Sequence, residues 1–112
     1  MSAGTYNITI DQGTDFVLDL AVKENDAAFD LTGYSARAQL RRTKEDTSAT
    51  ATFSCTVVSA SAGTIKMELD NSTTSSISEG SYYYDLEIYT AADAIVQRII
   101  QGSASVTREI TR

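Results

Sequence analysis

The chain has 112 residues, one domain's worth, with nine Lys or Arg against fifteen Asp or Glu and a net charge of −6. That balance argues against a nucleic-acid surface, which must neutralise phosphates, and against an anionic membrane; it is read first as a source of solubility. The absence of histidine removes Ser-His-Asp and Cys-His catalysis and the usual zinc sites, and the single cysteine, Cys55, rules out an intrachain disulfide. No apolar run is long enough to span a bilayer, and Met1-Ser2-Ala3-Gly4 lacks the basic-then-apolar pattern of a signal peptide.

Thr5 to Asp11 alternates with Tyr6, Ile8 and Ile10 on one face and predicts a first strand. Asp11-Gln12-Gly13-Thr14 predicts a turn with Gly13 at positive φ. Asp15 to Lys23 predicts the next strand, with Phe16, Leu18, Leu20 and Val22 inward, ended by the polar cluster Glu24-Asn25-Asp26. Leu31 and Tyr34 are expected to pin a loop that bends at Gly33. Tyr34 to Arg41 alternates again and turns Arg37, Gln39 and Arg41 outward. Arg41 to Ser48 mixes charges without a period and predicts a solvated loop. Ala51 to Val58 and Thr64 to Asp70, joined by a Ser/Gly segment, predict a hairpin. Cys55 is expected there as a small core residue. Asn71 to Gly80 predicts one short helical turn, capped by Asp70 or Asn71, anchored by Ile77 and stopped by Gly80.

Gly80 to Tyr89 reads as the central strand. Tyr82, Tyr84, Leu86 and Ile88 fall on one face, and Tyr83, Asp85, Glu87 and Tyr89 on the other. Thr90 to Ala94 predicts a turn. From Ile95 to Gln101 the alternation blurs, because Ile95, Val96, Ile99 and Ile100 are apolar on both sides. Such a strand is central between layers or covered by a partner. Gly102 predicts a bulge or bend. Ala104, Val106 and Ile110 restore the period, with Arg108 interrupting it. The spacing predicts an all-β antiparallel sandwich of about seven to eight strands. Its expected core is Ile8, Ile10, Phe16, Leu18, Leu20, Leu31, Tyr34, Leu40, Phe53, Val57, Ile65, Met67, Leu69, Tyr82, Tyr84, Leu86, Ile88 and Val106.

Asp85 and Glu87 share a strand face, as a glycosidase carboxylate pair does, but alternating outward acids are also what a half-wet strand carries. Asp11 and Asp15 flank a glycine turn, yet calcium takes about six to eight oxygens and no ligand-dense loop is present. Arg37, Arg41 and Arg98 are placed to pair with Asp85 and Glu87 across strands. Tyr83 and Tyr89 suit sugar stacking or a protein interface, and the interface is the better fit to a tyrosine-rich face. No catalytic, cofactor or metal site is assigned. The expected contact set is Tyr83, Tyr89, Asp85, Glu87, Ile95 and Ile99.

Four phrases carry a family resemblance. They are Asp30-Leu31-Thr32-Gly33-Tyr34 with Ala36-Arg37-Ala38-Gln39-Leu40-Arg41, Tyr84-Asp85-Leu86-Glu87-Ile88, Val96-Gln97-Arg98-Ile99-Ile100-Gln101-Gly102, and Val106-Thr107-Arg108-Glu109-Ile110-Thr111-Arg112. In order and spacing they resemble small immunoglobulin-like domains of tailed bacteriophage virions, in particular the N-terminal domain of baseplate upper proteins. The resemblance runs from Tyr6 to Arg112. It implies an immunoglobulin-like sandwich and a non-enzymatic structural role in the tail, baseplate or fibre attachment. It also implies a virion location after assembly in the host cytoplasm. Implied partners are other virion proteins and further copies of the chain, with no cofactor, nucleic acid or membrane. Baseplate upper proteins continue into further domains that this sequence lacks. A capsid decoration protein and a carbohydrate-binding module for host glycans stand as alternatives.

Overall fold

A computed structural model describes residues 3–110. Period-two segments become strands: β1 (Gly4–Thr5), β2 (Ile8–Asp11), β3 (Phe16–Ala21), β4 (Lys23–Glu24), β5 (Ala27–Ala28), β6 (Ser35–Arg41), β7 (Ala51–Ser59), β8 (Thr64–Leu69), β9 (Gly80–Tyr89) and β10 (Val96–Thr107). One helical turn, α1 (Asn71–Ser75), and a 3-10 turn at Ala91–Asp93 complete the path. Seven strands have four residues or more and three have only two. The protein is all-β and sandwich-like.

Eight strands form one sheet, seven of them along the path β1-β10-β9-β6-β7-β8-β3 and the eighth, β2, paired to β10 off that path; β4 and β5 form a separate hairpin. The path curls into two layers at β7. Ala51 to Phe53 pair with β6, and Ser54 to Ser59 pair with β8. A strand that changes sheets in this way makes the corner of a sandwich. The inward faces then meet. Ile10, Leu40, Ile65, Met67, Leu86 and Ile88 are fully buried.

Several expectations are corrected. The sheet is not wholly antiparallel, because β1 and β2 run parallel to β10. Alternation marks a half-buried strand without stating its direction, so only the chain's path decides this. The first predicted strand breaks in two, and Tyr6 is 52% exposed while Ile8 and Ile10, expected on the same face, are buried. At the break the Tyr6 N–H donates to the Gln101 carbonyl and the Ser103 N–H donates to Asn7 Oδ1. Gly102 permits this approach. A Cβ there would lie 2.3 Å from the Tyr6 carbonyl oxygen. The bulge in β10 falls instead between Arg98 and Ile100. It turns Ile99 inward, where it is 7% exposed, so Ile99 belongs to the core and leaves the expected contact set. That bulge accounts for the blurring at Ile99-Ile100, while Ile95 and Val96 remain exposed.

Gly80 opens β9 at φ 145 and does not stop the helix, which ends at Ser76. Asp70 caps it by accepting from the Thr73 N–H. Asn25 and Asp26, at φ 53 and 63, form the tight turn of the β4–β5 hairpin, which the polar cluster did not foretell. β10 ends at Thr107, and Ile110 lies almost fully exposed beyond it. Phe16, Leu18, Leu20, Tyr34 and Val57 are only partly buried, whereas Ala38, Ala51 and Ala104 join the core although the expected set did not name them; Val22 and Ile77, expected to point inward and to anchor the turn, are buried. Thr74 is also buried; its hydroxyl donates to the Thr14 carbonyl at 2.7 Å and accepts from the Gly13 N–H at 3.1 Å.

Two substitutions test these contacts by urea unfolding. Gly102→Ala is expected to cost about 2 kcal/mol or more, because backbone must move to admit the methyl group. Thr74→Val is expected to cost about 1–3 kcal/mol, because it keeps the shape but leaves the Gly13 N–H unpaired. Wild-type midpoints would refute both assignments.

Candidate functional site

The outward face of β9 is ordered by its two neighbours. Glu87 lies between Arg37 on β6 and Arg98 on β10; Asp85 lies between Gln39 and Gln101; Tyr83 lies between Arg41 and Ser103. Arg37 Nε sits 2.9 Å from Glu87 Oε1, and its Nη1 is 3.4 Å from Asp93 Oδ1. The same guanidinium lies 4.5 Å from the centre of the Tyr89 ring. Arg98 Nε reaches Asp85 Oδ2 at 3.3 Å, diagonal to its register partner. These pairs are solvent-facing, so each contributes only about 0.2–1 kcal/mol and mainly fixes side-chain positions.

Arg41 has a different setting from the one expected. It faces Tyr83, and its guanidinium donates to Gln39 Oε1 at 2.7 Å and to the Asp46 carbonyl at 2.9 Å. Lys44 Nζ stands 5.2 Å from the centre of the Tyr83 ring. Among the described residues neither cation has a carboxylate within 4.0 Å. Together the three strands and Thr52 of β7 shape a concavity of about 760 Å³. Burial pushes the Asp85 carboxyl above its usual range, helped by the neighbouring Glu87 charge and opposed mainly by Arg98.

The expected contact residues are only partly brought together. Tyr83, Asp85 and Glu87 line the concavity, with Tyr83 44% exposed. Tyr89 lies six residues further along β9, roughly 20 Å away at strand rise. Ile95 is 47% exposed in the turn beyond it and is not part of the concavity. Lys44, Gln39 and Gln101 were not foreseen as site residues. Outward alternation marked Gln39 alone, since the blurred run to Gln101 gave that residue no face, and nothing in the loop sequence places Lys44 over Tyr83.

The remaining candidates are tied into the structure. Asp11 Oδ1 accepts from the Thr107 hydroxyl, and Asp15 Oδ1 accepts from both nitrogens of Asn71. Among the described residues no group of three or more His, Cys, Asp or Glu is arranged to hold a metal ion. Burial pushes the Cys55 thiol up to about 11, so it stays protonated at neutral pH. No helix among the described residues is long and apolar enough to cross a membrane. The fold and this face define a sandwich-like all-β protein that presents a pre-ordered aromatic and charged sheet surface. Compared with protein-family models and with curated proteins, the chain matches none.

Asp85 gives a pH test. Its folded pKa is raised, so the native state holds a proton that the unfolded chain has already released. Stability attributable to this group is full below the unfolded value and falls as pH rises through the folded one. Asp85→Asn is therefore expected to lose less stability than wild type as pH rises through the acid range. Parallel stability–pH curves would contradict the shift.

Proposed function

We propose that this chain is a non-enzymatic structural component of a tailed phage particle, in the tail, baseplate or fibre attachment. It acts on an immunoglobulin-like scaffold through protein–protein contacts made by the outward face of β9. The phage assignment rests on the resemblance of the four sequence phrases. The scaffold reading is supported by the strand order, in which β10-β9-β6 stand in one layer and β3-β8-β7 in the other.

One observation carries the contact role. Tyr83 is exposed beside Arg41, which is held by Gln39 and the Asp46 carbonyl, on a face where the Arg37–Glu87 and Arg98–Asp85 pairs are already formed, so a partner would bury aromatic area with little ordering cost. The same concavity favours a second reading, a carbohydrate-binding module, because sugars bind in polar hollows that contain aromatic rings. Against it, Arg37 already covers one face of Tyr89 and Lys44 one face of Tyr83. A sugar stacking on those faces would have to displace the cation first. Protein contact uses ring edges and cations as well.

The test is incorporation into particles. Tyr83→Ala/Tyr89→Ala protein is expected to fold and to bind its particle site roughly thirty-fold more weakly, a loss of about 2 kcal/mol. Incorporation at wild-type stoichiometry would remove the tyrosine face from the proposal. Immunogold label at the tail end is the expected location, and label spread over the head would make the chain a decoration protein. A blank blot of denatured particles would overturn the virion reading, and saturable glycan-array binding would favour the second one.

A further inference from the structure

The β3 edge of the sheet is open. β3 is the last strand of the path and, among the described residues, pairs with β8 alone. The Val22 N–H donates to the Gly63 carbonyl, in line with the β3–β8 register. Backbone groups of an antiparallel strand point alternately to its two sides. Leu20, Leu18 and Phe16 therefore bond to β8, and the N–H and C=O groups of Val17, Asp19 and Ala21 point away from it. No turn or loop backbone among the described residues bonds to these three.

The inward side chains record the same gap. On β8 Ile65, Met67 and Leu69 are buried, whereas Phe16, Leu18 and Leu20 beside them are only partly buried. Devices that close the other edges are missing here. β10 is covered by β1 and β2, and the half of β7 that leaves β6 is broken by a bulge between Val57 and Ser59. β3 pairs over six residues without a register shift and contains no proline or lysine. Its charge is acidic and faces outward. Across residues 15–24 and 64–70 five carboxylates stand against two lysines. Among the described residues none of these groups is in an ion pair within 4.0 Å. Asp15, Glu68 and Asp70 line a hollow of about 420 Å³ together with Val17, which is 51% exposed.

We propose that β3 receives an added strand from a partner protein, an extended segment in which apolar residues alternate with Lys or Arg. Its apolar positions lie beside Phe16, Leu18 and Leu20 and continue the core past the present edge. Its cationic positions lie on the outer face, where a residue directly opposite Asp19 has its Cβ about 5 Å away. Main-chain bonds to Val17, Asp19 and Ala21 supply affinity, and the alternation supplies specificity. A second copy of β3 is a poorer occupant. Joining two such edges brings the Asp15 and Asp19 carboxylates of both copies to one seam, with no lysine or arginine on either strand. This contact lies in the other layer from the β9 face, goes beyond the reading above, and stands whether or not the chain belongs to a virion.

Backbone amides of the full chain, followed by heteronuclear NMR, test this. In the free chain the Val17, Asp19 and Ala21 amides are expected to exchange with solvent at least about ten-fold faster than those of Leu18 and Leu20. The probe is a short acetylated and amidated peptide in which lysine alternates with valine. It is expected to bind saturably with a Kd below about 1 mM, shifting and protecting those three amides. The same peptide with glutamate for lysine, and one with its lysines and valines in separate blocks, are expected to bind at least about ten-fold more weakly. Val17→Pro removes an edge N–H that β8 does not use. It should keep the wild-type circular dichroism and weaken peptide binding by about ten-fold or more. If that variant does not fold, Asp19→Asn serves in its place and should weaken binding about three-fold, the worth of one solvent-facing ion pair. Slow exchange of all three amides in the free chain, the lack of a saturable shift, or shifts confined to other strands would overturn the proposal. So would equal binding of either control peptide, wild-type affinity in the variant, or self-association of the chain that Val17→Pro abolishes, which would give the edge to a second copy.

Discussion

Tyr82, Tyr84, Leu86 and Ile88 leave water together because β9, which carries them, is paired along both edges. β6 holds one side and β10 the other for most of its length. Burying each of these side chains contributes about 1.5–3 kcal/mol, and a slip of one residue would turn all four outward. The register is therefore strongly held, and everything on the outer face inherits it. Glu87 meets Arg37 because Leu86 must meet Ala38. The Tyr84 hydroxyl extends the same constraint inward by donating to the Tyr6 carbonyl, which ties the first segment to the central strand.

β7 supplies the second constraint. One half of it serves each layer, so the sandwich is a single curled sheet and not two sheets joined by loops. Its inner residues, Ala51 and Phe53, continue the core around the corner, and the Phe53 ring packs between those of Phe16 and Tyr84. Outside, Thr52 borders both the β9 concavity and the hollow around Val17. The two outer surfaces are thus fixed relative to each other by the same backbone that closes the core.

Much of this was legible in the residues. The limits of β9, the β7–β8 hairpin, the Asp70 cap and the Ile77 anchor all follow from short-range patterns, in which side-chain period and capping chemistry act over a few residues. Two of the three arginines also found the carboxylates expected of them, because outward charges on neighbouring strands of a sheet have few other partners. Arg41 did not, since register put it opposite Tyr83. Ile99 failed for a similar reason: a bulge shifts the face of every residue beyond it, and a run such as Ile99-Ile100 looks the same with or without one.

By itself, then, the sequence determined that the chain is all-β, which face of each long strand other than β10 is buried, and that the molecule is acidic. These depend on local alternation and on counting charges. Only the tertiary structure decided that β1 and β2 run parallel to β10, that Gly102 serves a close crossing at Tyr6, and that Lys44 stands over the Tyr83 ring. Each of these depends on which distant segments lie side by side, and neither period nor composition records that.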